Sequence, residues 1–294
     1  MKTVLEMFER YPLDHPLGRG DERLNPVFLM HRALAIYNDY WERKSKRTKN
    51  LFLECADSLL KRLDIKKSFG VWPIFNLSLR AEIYGCKTPF VSALLQGQGI
   101  SVLVRAYSLV EDLKYLEKAK YALKAFQVQM IDGGVLSVDN DDGHWWYEEY
   151  ASPHAEPSGV LNGFILALLG IYDYYLLTSD DGSKQLFDKG ITTLCHHMKD
   201  FDTHRPFKLT YYDRQKHIVT IDYHRFHIRL TEILFNITGI ETFKEYELKW
   251  QRYADEWATH RMYRLLHKMY YIKSGFNLKD SVRLLGRLVS ERRF

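Results

Sequence analysis

Between Val160 and Leu169 the chain reads Val-Leu-Asn-Gly-Phe-Ile-Leu-Ala-Leu-Leu, apolar nearly all round a helix, and no other stretch constrains the fold as strongly. A helix with no polar face must be enclosed by other elements. The run from Tyr115 to Lys124 is instead amphipathic and suits a surface. Enclosed helices alternating with outer ones predict a mainly α architecture, an α/α toroid (a barrel of helix hairpins) with one or two β-hairpins at its rim. A chain of 294 residues is long enough to bury a large core, roughly 75% of its unfolded surface.

Helical periodicity is predicted near residues 48–63, 89–109, 112–127, 158–178, 183–199, 223–237 and 240–257. Asn25-Pro26 opens a further helix, with Asn as cap and Pro at the first helical position. Two stretches break the pattern. Gly133 to Tyr150 sets Val135-Leu136-Ser137-Val138 and Trp145-Trp146-Tyr147 around Asp139-Asn140-Asp141-Asp142-Gly143, which predicts a β-hairpin with a polar tip. Phe207 to Ile221 alternates similarly around Asp213-Arg214-Gln215. Rim loops on a rigid scaffold are where sites are usually built.

Residues 1–258 read as one α/α-barrel domain, with an extended arm over 1–24, and residues 259–294 as a basic amphipathic helical tail. That tail holds nine Lys/Arg against Asp280 and Glu291. It suits either peripheral contact with an acidic membrane or anionic polymer, or a closing helix packed on the domain, and the second reading is favoured. Cys55, Cys86 and Cys195 are too far apart for a zinc motif and odd in number, so small core residues are expected and no metal. No window approaches the ~20 apolar residues of a membrane span, and no signal-peptide pattern opens the chain. A cytoplasmic protein is the expectation.

The densest chemical candidate is Trp145-Trp146-Tyr147-Glu148-Glu149-Tyr150, followed by Leu161-Asn162-Gly163-Phe164. Carboxylates among phenols and indoles can serve as acid/base groups in a partly dry pocket; on spacing alone, solvated glutamates at a strand end are the favoured reading. Tyr211-Tyr212-Asp213-Arg214 is a second cluster. In Tyr223-His224-Arg225-Phe226-His227-Ile228-Arg229, Tyr223 and His227 share a helix face at i,i+4. No HExxH accompanies these histidines, so a zinc reading is weak. His196-His197 reads as a solvated pair, and Asp139 to Gly143 as a hairpin tip without a calcium-loop register. Gln96-Gly97-Gln98-Gly99 lies within a helical run, where each glycine costs about 1 kcal/mol. Either another helix packs against the bare backbone, or the glutamines project past it toward a ligand.

Several motifs together carry a resemblance. They are Pro89 to Tyr107 with its Gln-Gly-Gln-Gly, Trp146-Tyr147-Glu148-Glu149-Tyr150, Leu161-Asn162-Gly163-Phe164, Leu169-Gly170-Ile171-Tyr172-Asp173, Tyr212-Asp213, and Tyr223-His224-x-x-His227-Ile228. In this order they closely resemble the C-terminal domain of the D-glucuronyl C5-epimerases, over about residues 8 to 255. The resemblance implies an α/α toroid and an isomerase that converts D-glucuronate to L-iduronate within heparosan-type polysaccharides. Such chemistry removes a proton alpha to the uronate carboxylate and returns one to the other face, with charge relief for the enediolate.

By resemblance, Tyr150 and Tyr223 are the opposed acid/base pair, and Glu149 meets the substrate carboxylate. Asn162, Tyr212, Trp146, Gln96 and Gln98 are expected to contact substrate, with Arg214, Lys216, His224, His227 and Arg229 as sources of positive charge. No cofactor and no nucleic acid are implied; the partner is an anionic uronate-containing polysaccharide. The animal enzymes carry β-rich domains before the catalytic domain, for which this chain has no room, so their substrate contacts are expected to be absent here or replaced by the segment Tyr11 to Asn25 or by a partner subunit, as in a homodimer. A uronate polysaccharide lyase, using the same C5 carbanion, and a non-catalytic uronan-binding module are the alternatives.

Overall fold

The computed structural model describes residues 26–203 and 208–259, which fall into two compact units. The first comprises the chain to Phe201 together with Tyr212–His217; the second comprises Asp202–Tyr211 and the chain from Ile218. Apart from Thr259, the expected basic tail lies outside the described residues, as does the N-terminal arm.

The first unit is built from helix hairpins. α1 (Pro26–Arg43) packs on α2 (Lys46–Arg62), α4 (Ala93–Val110) on α5 (Leu113–Lys124), and α6 (Leu161–Thr178) on α7 (Asp181–His197). α3 (Leu79–Ile83) is a short helix between the first two hairpins. In the second unit α8 (Ile221–Thr238) packs on α9 (Glu241–Thr259). All four hairpins use a two-residue joint whose first residue is left-handed: Lys44, Glu111, Ser179 and Gly239. Asp112 and Asp180 then cap the helix that follows, accepting from the Lys114 and Ser183 amides.

The enclosed helix expected from Val160–Leu169 is α6, buried without interruption from Leu161 to Ile171. By length and composition it is apolar enough to cross a membrane, contrary to the expectation that no segment is; 72% of it is buried inside the protein. Its main neighbour is α4, buried throughout Ala93–Ala106. The two backbones nearly touch. A Cβ on Gly97 would lie 2.6 Å from Ala167 Cα, and one on Gly170 would lie 2.0 Å from the Gly97 carbonyl oxygen. The Gln-Gly-Gln-Gly alternatives therefore resolve toward close helix packing. Deep in the same pair, Arg105 is ion-paired with Asp173, which also accepts from Ser101 Oγ at 2.6 Å.

Strands are few. β1 (Asp64–Ile65) pairs with β2 (Gly70–Val71), and β3 (Leu136–Val138) pairs antiparallel with β4 (Trp145–Tyr147), the first predicted hairpin. The second predicted hairpin is reduced to isolated bridges such as Tyr211 with Ile218. α4 begins later than its periodicity suggests, because Phe90 and Val91 bridge to Ile74 and Ala151. α6 also starts late. The amides of Ser158 and Gly159 are held by the Glu148 carboxylate and are not free to open a helix. Cys55 and Cys86 are buried, as expected, whereas Cys195 is only partly so.

Candidate active site

The two adjacent glutamates have separate fates. Glu148, 1% exposed, accepts from Ser137 Oγ at 2.8 Å through one oxygen, and through the other from Ser158 N, Ser158 Oγ and Gly159 N at 2.8–2.9 Å. It is fully used in fixing the loop that leads into α6. Strand β4 ends at Tyr147, and the chain bends at Glu149 and Tyr150 before Ala151 bridges to Val91. In a regular strand Glu149 and Tyr150 would point to opposite faces. The bend lets both contribute to one cluster.

In that cluster the Tyr212 hydroxyl donates to Glu149 Oε1 at 3.3 Å and lies 3.3 Å from the Tyr150 hydroxyl. The other carboxylate oxygen, Oε2, is buried without a hydrogen bond among the described residues. The side chain fits only because Gly163 faces it: a Cβ there would be 2.2 Å from Oε2. Burial pushes the Glu149 pKa up to about 7; hydrogen bonds from Tyr150 and Tyr212 and the charge of Arg80 pull against this, while Asp213 adds to it.

A second group holds the tyrosines. Asp213, fully buried, accepts from Tyr84 Oη, from the His217 amide at 3.1 Å, and pairs with His217 Nδ1 at 2.6 Å. Burial, followed by the Asp213 charge, raises the Tyr84 pKa and keeps this phenol protonated. The Tyr84 ring stacks on Tyr150 with centroids 5.0 Å apart, and Phe90 lies along Tyr150 at 6.4 Å. The guanidinium of Arg80, one turn before Tyr84 on α3, sits 4.1 Å over the Tyr212 ring. Arg80, Tyr84 and His217 were not expected from the sequence. Arg80 lies on the five-residue helix α3 and Tyr84 is the residue that ends it, a segment with no recognisable motif, and only the backbone path brings them here.

Of the residues expected in the site, Glu149, Tyr150 and Tyr212 come together, with Asn162 fully buried beside Gly163 at the start of α6. Others are engaged differently. Gln96 holds backbone: it accepts from Trp72 N at 3.1 Å and donates to the Gly70 and Ala122 carbonyls. Gln98 is buried and hydrogen-bonded to His31. Trp146, 1% exposed, packs on Phe164 and His197 within the core. Arg214 pairs with Asp139 and lies 5.0 Å over the Trp146 ring, whereas the positive charge that acts on Glu149 is that of Arg80.

Tyr223, His224, His227 and Arg229 lie on α8 in the second unit. His224 is fully buried, 2.9 Å from the Trp250 carbonyl through Nε2 and 3.2 Å from Thr210 Oγ1 through Nδ1. Burial lowers its pKa to about 4, so it stays neutral and is a packing residue, not the source of charge that was expected. His227, also fully buried, is 2.8 Å from Thr210 Oγ1. Tyr223 is partly exposed, its ring edge-on to His227 at 6.0 Å. Arg229 is exposed.

A carboxyl whose pKa is raised by burial, among phenols on a scaffold of helix hairpins, is a candidate acid/base site on a mainly α fold, and comparison with known proteins gives the family. The D-glucuronyl C5-epimerase C-terminus family matches residues 66–252, and the chain belongs to that family. It is 33% identical over 257 residues to the D-glucuronyl C5-epimerase of Caenorhabditis elegans, covering 81% of this chain and 40% of that protein. An uncharacterized protein of Methanocaldococcus jannaschii is 30% identical over 245 residues, covering 78% of this chain and 77% of the relative. Among solved structures, an unsaturated glucuronyl hydrolase from Streptococcus agalactiae is similar in fold, with a TM-score of 0.53 at 17% identity, over 77% of this chain and 57% of the other. The fold class is thus the α/α toroid class read from the sequence. The chain spans well under two thirds of the worm enzyme and of the hydrolase.

Proposed function

We propose that the chain is a uronyl C5-epimerase that converts D-glucuronate to L-iduronate residues within a heparosan-like polysaccharide. The observation that carries this reading is the contact of Tyr150, Tyr212 and Glu149 around a carboxyl held near pKa 7. Abstracting the C5 proton leaves its electron pair delocalised into the uronate carboxylate, which becomes an enediolate. Glu149 in its protonated form donates a hydrogen bond to the oxygen that gains charge, and Arg80 offsets the rest.

Tyr150 removes the proton. A free phenol ionises near pKa 10, so forming its phenolate at pH 7 costs roughly 4 kcal/mol before any neighbour helps. Tyr212, within hydrogen-bond reach of both partners, lowers that cost by donating to the phenolate oxygen. The family resemblance nominates Tyr223 to return a proton at the opposite face of C5. Family membership and the worm relative support the reaction class.

The test is incubation with heparosan in D2O, followed by NMR and ultraviolet absorbance. Deuterium at C5 with iduronate signals is the expected outcome. New unsaturated-uronate absorbance would make the protein a lyase, and retained binding without exchange would make it a uronan-binding module. Tyr150→Phe and Tyr223→Phe should each slow exchange by about 10² to 10⁴-fold; wild-type rates in both would overturn the assignment of roles.

A further inference from the structure

Four side chains gather at the tip of the β3–β4 hairpin. Asp142 and His144 come from the turn between the strands, and His196 and His197 from the last turn of α7. One ligand atom from each lies within 4.8 Å of those of the other three. His144 Nδ1 is 2.8 Å from Asp142 Oδ1; His197 Nε2 is 2.9 Å, and His196 Nε2 3.8 Å, from Asp142 Oδ2.

We propose that Asp142, His144, His196 and His197 form a binding site for a divalent transition-metal ion, zinc by preference. Two observations beyond proximity support it. First, His144 Nδ1 and His197 Nε2 are buried ring nitrogens that both face the Asp142 carboxylate, at 2.8 and 2.9 Å. Second, His197 Nδ1 is 2.7 Å from Asp200 Oδ2. A proton held there leaves the lone pair on Nε2, the nitrogen that faces Asp142. A carboxylate behind an imidazole is the arrangement that fixes tautomer and orientation in metal-bound histidines.

The donor set decides the ion. Three imidazoles and one carboxylate suit zinc, whereas calcium and magnesium require oxygen ligands. A tetrahedral ion with bonds of about 2.0–2.2 Å holds its ligand atoms about 3.4 Å apart, so a gap of 4.8 Å must close by about 1.4 Å. The exposed His196 ring is free to make that movement, while His197, 4% exposed, gives a fixed anchor. Four protein ligands make a closed, structural site. The ion would tie the hairpin to α7, just ahead of the bend at Glu149 and Tyr150. Neither Asp142-x-His144 nor His196-His197 has the spacing of a known zinc motif, and only the fold brings the two pairs together.

The experiment uses tag-free full chain, stripped with a chelator, desalted and titrated with Zn²⁺ alone by calorimetry, with metal counted by mass spectrometry. One ion per chain, a Tm that rises with Zn²⁺, and the intense visible bands of tetrahedral Co²⁺ after substitution are expected. His196→Ala and Asp142→Asn, both at the surface, should keep the circular dichroism spectrum and bind at least 10-fold more weakly. Asp200→Asn should weaken binding about 10- to 100-fold. No saturable binding, unchanged affinity in His196→Ala and Asp142→Asn, or the weak bands of octahedral Co²⁺ would each overturn the proposal.

Discussion

The phenolic oxygens of Tyr150 and Tyr212 lie 3.3 Å apart, with the Tyr212 oxygen equally far from Glu149 Oε1. A hydroxyl that reaches both a phenol and a buried carboxyl links their protonation, so removing either partner should change how the other titrates.

Glu149 should give the stability curve a measurable slope. Its folded pKa of about 7 exceeds the ordinary 4.5. The folded state therefore holds the proton more tightly, and this contribution is complete below about pH 4.5 and lost as pH rises to about 7. Between those values the wild type should lose on the order of 2 kcal/mol more than Glu149→Gln, read by chemical denaturation at each pH. In the exchange assay, kcat/KM of the wild type should fall as pH rises through about 7, and Glu149→Gln should lack that limb.

Substituting the two glutamates should give opposite results. Glu148→Ala removes four hydrogen bonds from buried groups and should cost about 3–5 kcal/mol of stability. Glu149→Ala removes a carboxyl that burial opposes, so denaturation midpoints near pH 7 should be unchanged or higher while C5 exchange is lost. Equal destabilisation by both would contradict the assigned division of labour.

Gly163→Ala probes the seat of Glu149. A Cβ 2.2 Å from Oε2 must push that side chain aside. Overpacking of this kind costs about 1–3 kcal/mol, and displacing a site group by about 1 Å can cost 10²-fold in rate. Exchange rates should therefore drop far more than the Tm.

The buried pair of α4 and α6 makes a further test. Arg105→Met strands Asp173, leaving it the hydrogen bond from Ser101 Oγ, and should cost about 3–5 kcal/mol. Adding Asp173→Leu should recover most of that loss, because a buried ion pair replaced by packed apolar groups is often near neutral. Urea melts of the single and double variants decide it.

Much of this was legible in the sequence because apolar periodicity is a local signal. The all-round apolar run became α6, and Pro26 is the first residue of α1 among the described residues. Motif resemblance picked out Glu149, Tyr150 and Tyr212 together, although spacing alone favoured solvated glutamates. His224 was misjudged as a source of charge for a physical reason. His224 looks like a helix-face cation in sequence, yet it is buried against Trp250 from the next helix, and a sequence pattern carries no record of that depth. Arg80 and Tyr84 were invisible since their relation to Tyr212, Tyr150 and Asp213 is purely tertiary. The metal-site residues illustrate the same limit, being two short pairs from different elements.

The repeated two-residue joint also bears on how the chain comes together. Each helix pair meets its partner across the shortest of loops, so little chain entropy is lost in closing it, and most early contacts join neighbours along the sequence. Hairpins can thus arise one at a time. The Gly97–Gly170 crossing then acts as a ruler: it admits only the register in which two bare stretches of backbone face each other. A slip by one residue would set a side chain against a main chain, and α4 and α6 could not come together.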